Sequence, residues 1–172
     1  MRARSRLALV IAWASASALA ACTGPDPGTA DVRLLDVAAY RAHVHAVLEP
    51  SCATLDCHGD PGRPLRLYAE TGLREDDSLR SAKAPLTDAE AIANVESAAG
   101  LDPEVRADES RVLLKPLAER AGGMHHVGGD IWQTRDDDAY VCVAAWLAGG
   151  LDADAQAACS RAAAAVALPP ED

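Results

Sequence analysis

The chain has 172 residues, with 16 Lys and Arg against 26 Asp and Glu, a formal charge of −10. That length allows one modest domain and leaves little room for a second. The acidic balance argues against nucleic acid and anionic headgroups as partners and favours a basic protein surface.

The first 22 residues read MRARSRLALVIAWASASALAAC, with three arginines, then an apolar run, then small residues up to Cys22. Charge, length and ending match an export signal, and the run is too short and wrongly flanked for a spanning helix. Its end, Leu19-Ala20-Ala21-Cys22, resembles the lipobox of bacterial lipoproteins. The resemblance implies cleavage before Cys22 and a diacylglycerol on its sulfur. Acyl chains partition at about 0.8 kcal/mol per buried methylene, so Cys22 would hold the protein on membrane lipid without a spanning helix. Residues 1–21 are then the signal, 22–34 the lipidated cysteine and flexible tether (Thr23–Asp31 is TGPDPGTAD), and 35–168 the domain. Cleavage removes three basic and no acidic residues, which moves the charge to −13. The expected location is the bacterial cell envelope, lipid-anchored and facing the periplasm or the exterior.

The domain is expected to be all-α, built of short helices and loops. From Asp36 to Leu48, Val37, Tyr40, Val44, Val47 and Leu48 recur at the helical period. Pro50 is expected to stop this helix before Cys52, with His43 and His45 as surface histidines on its opposite edges. Residues Pro61–Glu70 give at most one extended piece. Thr87-Asp88-Ala89-Glu90 matches a capping box and Gly100 a helix end, with Ile92, Val95 and Ala99 facing the core. Ser110 caps a shorter helix with Val112, Leu113 and Leu114 inward, before Pro116. A glycine-rich loop, Gly122–Gly129 (GGMHHVGG), comes next. Asp136, Asp137 and Asp138 start a helix to Ala148, where negative charge suits the dipole. Gly149-Gly150 breaks it, and a second helix runs from Asp152 to Val166. Folding back as a hairpin sets Cys142 opposite Cys159, equidistant from the turn. In an oxidising compartment a disulfide between them closes a 17-residue interval, worth about 3 kcal/mol.

Cys52 and Cys57 remain, followed at once by His58 in SCATLDCHG. Three readings are open. Two cysteines with histidine directly after the second suit covalent haem c, its iron taking the histidine, at a spacing two residues longer than C-x-x-C-H. A Cys52–Cys57 disulfide suits a haem-free lipoprotein module that binds a protein or polymer. Cys52, Cys57, His58 and a histidine of GGMHHVGG could also close a zinc site. No nucleophile–base pair or phosphate loop appears, so a carrier is expected rather than an enzyme.

The stretches VHAVLEPSCATLDCHG and PLRLYAETGLR, and later SRVLLKPLAERAGGMHHVGGDIWQTRDDDAYVCVAAWLAGG, occur in an order that resembles the planctomycete-type cytochrome c domain and related exported lipoproteins. The likeness spans Tyr40 to Gly150. It implies a small cytochrome c-like domain with haem c held covalently by Cys52 and Cys57, His58 on the iron, and electron transfer to a redox protein partner. A second axial ligand must come from GGMHHVGG, the only later segment with histidine or methionine. His126 holds the family-like position before Gly128-Gly129, and Met124 is the runner-up.

Overall fold

A computed structural model describes residues 34–167. The export signal, Cys22 and the tether up to residue 33 lie outside the described residues. Seven α-helical segments follow one another: α1 Val37–Ala39, α2 His45–Cys52, α3 Asp77–Ser81, α4 Asp88–Leu101, α5 Arg111–Leu114, α6 Asp138–Leu147 and α7 Ala153–Ala167. Among the described residues there is no strand, only isolated bridges between Tyr68 and Leu73 and between Leu117 and Trp132. The domain is therefore all-α, of short helices and loops. No described helix is long and apolar enough to cross a membrane.

The Asp36 carboxylate opens α1 by accepting from the N–H groups of Ala38 and Ala39. A π turn, Tyr40–Val44, then joins α1 to α2, with the His45 N–H donating to the Tyr40 carbonyl. One extra residue per turn rotates everything after it by about 100°. That rotation corrects the surface reading of His45. Its ring packs 5.8 Å from Tyr40, and both ring nitrogens are buried without a hydrogen bond. Pro50 does not stop the helix, which continues to Cys52. The carbonyl left without a partner by Pro50 belongs to Ala46, which is exposed and open to water.

The capping box of α4 forms as read: Thr87 Oγ1 accepts from the Glu90 N–H, and the Glu90 carboxylate accepts from the Thr87 N–H. Val95 is buried as expected and Ala99 packs partly buried against the core, but the centre of the face is different. Glu90, Ala91, Asn94, Val95 and Ala98 point inward, and Ile92 is 45% exposed. Asn94 decides the phase: its amide donates to the Tyr40 hydroxyl (3.0 Å) and the Tyr68 carbonyl (2.8 Å), and its oxygen accepts from the Tyr68 N–H. A polar side chain with every bond made holds the centre of the face better than Ile92 could. The helix runs one residue past Gly100 to Leu101.

Helices α6 and α7 form the expected hairpin. Cys142 and Cys159 are disulfide-bonded across it with Cα atoms 4.8 Å apart, both buried. Trp146 of α6 stacks at a tilt on Tyr40 and donates to the Asp36 carbonyl, so the hairpin clasps the first helix. With α4 and α5 closing one side, this frame fixes the end of α2, where Cys52 sits.

Candidate functional site

A loop closes directly behind α2. The N–H of Cys57 and that of Gly59 both donate to the Thr54 carbonyl, and the His58 N–H donates to the Cys52 carbonyl, each at 2.9 Å. Gly59 is required by this closure, because a Cβ there would sit 2.6 Å from the Ala53 oxygen. Cys52 and Cys57 are free thiols. Burial, and secondarily neighbouring Cys57, push the Cys52 thiol up to about 12. A group held protonated at neutral pH is a poor partner for thiol–disulfide exchange.

Both thiols and His58 line a cavity of about 530 Å³. Leu48, Leu65, Leu67 and Val112 form its apolar wall, and Lys115, Pro116 and His126 face it from the later half of the chain. The His58 ring is half-buried and its Nδ1 lies 2.9 Å from the Leu65 carbonyl. A carbonyl only accepts, so Nδ1 carries the proton and Nε2 keeps its lone pair. Burial, with smaller contributions from His126 and Arg63, outweighs that hydrogen bond and keeps the imidazole neutral below its usual range. His126 is arranged likewise, with Nδ1 3.2 Å from the Gly129 carbonyl. Gly128 lies against its ring, since a Cβ there would be 2.8 Å from Cε1.

The two rings are within 8° of parallel with centroids 6.2 Å apart. That separation equals two metal–nitrogen bonds of about 2 Å plus half a ring on each side, the distance two imidazoles would keep when bound through Nε2 to one iron. Volume, apolar wall, paired imidazoles and adjacent thiols fit an iron porphyrin. Among the described residues no three His, Cys, Asp or Glu side chains converge as a metal site.

The other loop candidates lie elsewhere. Met124 is 41% exposed and is not part of the cavity wall. His125 reaches the rim, but its side chain is 84% exposed and 3.5 Å from Glu119. Sequence reading missed three contributors. Two are the carbonyls of Leu65 and Gly129, which no side-chain pattern reveals. The third is Lys115, whose Nζ donates to the His125 carbonyl at 2.8 Å and ties the glycine loop to the end of α5. Its signal was the Leu-Leu-Lys-Pro stretch, read only as a helix end. No family model, no curated protein and no solved structure matches this chain.

Proposed function

We propose that the protein is a membrane-anchored c-type haem protein that carries electrons in the cell envelope. One observation carries this reading. Two imidazoles with their Nδ1 atoms already bonded stand parallel, 6.2 Å apart, on a cavity that also presents two free thiols. Cys52 and Cys57 would hold haem c covalently, and His58 and His126 would take the two axial positions. A six-coordinate haem iron supplies one-electron transfer. The chain's own part is to fix His58 through Leu65 and the Cys52–His58 loop, and to exclude water with Leu48, Leu65, Leu67 and Val112. Lipid on Cys22 would keep the domain at the membrane, and the −13 charge of the cleaved chain suits a basic redox partner.

Co-expression with a c-type maturation system tests the assignment. The expected product retains a haem mass and a peroxidase stain on a denaturing gel, both lost in the Cys52→Ser, Cys57→Ser double variant. A product of apoprotein mass with Cys52 and Cys57 linked to each other would overturn it in favour of the haem-free binding module.

A further inference from the structure

The two histidines are held very differently. His58 belongs to the packed loop: its N–H donates to Cys52, its carbonyl accepts from the Leu67 N–H at 2.7 Å, and its ring is tied to Leu65. His126 belongs to a turn that bonds only to itself. The Gly129 N–H donates to the His126 carbonyl at 2.9 Å, and the His126 ring meets the Gly129 carbonyl. Among the described residues, 126–129 make no other hydrogen bond. The flanks are pinned, by Met124 N–H to the Leu114 carbonyl, Lys115 to the His125 carbonyl, and Ile131 N–H to the Pro116 carbonyl. Between those pins Val127 is 95% exposed, and Gly129 has φ +81°, a left-handed value that suits glycine. The turn can swing outward as a unit, keeping its own bonds.

We infer that the His126 position is a ligand-exchange site, at which a small neutral diatomic molecule displaces His126 from the cofactor while His58 stays in place. This rests on the haem reading above. The step is an exchange of donors: the His126 Nε2 lone pair leaves, and a lone pair of the incoming ligand takes its place. No electron or proton moves. A neutral ligand is favoured because the cavity wall of Leu48, Leu65, Leu67 and Val112 is apolar, where burying a charged ligand is costly. Displacement makes the site competent only in the open fraction of molecules, which lowers apparent affinity by that fraction.

The test is carbon monoxide binding to the haem-loaded protein reduced with dithionite, followed in the Soret band. Wild type should bind, with a rate that levels off at high carbon monoxide as opening of the turn becomes limiting. In His126→Ala the rate should rise linearly. Its affinity should be about 10- to 1,000-fold tighter, corresponding to an open population of about 10% to 0.1% in wild type. Gly128→Ala, which crowds the His126 ring, should shift affinity in the same direction by less. A wild-type spectrum unchanged at saturating carbon monoxide, or a His126→Ala affinity no tighter than wild type, overturns the inference while leaving a haem-loaded electron carrier intact. Failure of the haem stain itself would instead remove the function proposed above, and the exchange site with it.

Discussion

Among single residues, Glu90 does the most for the domain outside the candidate site. It and Arg74 are both buried, joined by two hydrogen bonds of 2.8 Å, and every remaining polar atom is used. Arg74 also donates to the carbonyls of Ala84 and Pro85, and Glu90 also accepts from the N–H groups of Glu75 and Thr87. Burial alone would raise the Glu90 carboxyl. The Arg74 guanidinium and the two backbone donors outweigh it and hold the group at about 2, against an ordinary 4.5. A folded value below the unfolded one means that this contribution is complete above pH 4.5. It is lost as pH falls from there towards 2. Glu90→Gln strands a buried guanidinium and should cost about 3–5 kcal/mol, read by urea denaturation at neutral pH. The acid limb of the stability profile should flatten in the same variant. The sequence showed half of this residue's role: Thr87-x-x-Glu90 was readable as a capping box because that motif is local. Its bond to Arg74, sixteen residues earlier, has no local sign.

Elements were legible where their signals were local or symmetric, and less so where a buried polar group set the phase. The α6–α7 hairpin is the favourable case. Gly149-Gly150 marks the turn, and equal spacing from it pairs Cys142 with Cys159, as observed. Replacing both with alanine should lower the unfolding free energy by about 3 kcal/mol, seen as a lower denaturant midpoint with the helical circular dichroism retained. Helix α4 is the opposite case. Counting apolar positions put Ile92 inside, whereas Asn94 occupies the centre of the face because its partners come from Tyr40 and Tyr68. The π turn is similar. The π turn at Tyr40–Val44 brings the partly buried His45 ring against Tyr40, and nothing in VAAYRAHVHAVL announces it. At the site, Cys52, Cys57 and His58 were legible as a constellation. The matching of His126 to His58 depends on two backbone carbonyls and a glycine contact, and spacing does not encode those.

At the scale of the molecule, the first helical turn and the last hairpin depend on each other. The Trp146 indole N–H reaches back 110 positions to the Asp36 carbonyl, and its ring lies 5.3 Å from that of Tyr40. Leu35 is already buried, and the buried apolar residues of the described domain extend from there to Ala162. The buried core of the described domain therefore begins at Leu35. Tyr40 is also a wall residue of the candidate cavity, and its hydroxyl accepts from Asn94, so the same residue couples the amino-terminal turn to the site. Two truncations separate these roles. A chain of residues 34–172 should melt within a few degrees of residues 22–172, because it keeps every buried residue of the described domain. A chain beginning at Arg41 loses Leu35, the Asp36 cap and Tyr40 together, and removal of a buried aromatic alone costs about 3–5 kcal/mol. That is a large share of the stability of a domain this size, so this second chain should be unfolded or molten at 25 °C by near-ultraviolet circular dichroism. If it melts like the longer chain, the clasp between Trp146 and the first helix does not hold the domain together.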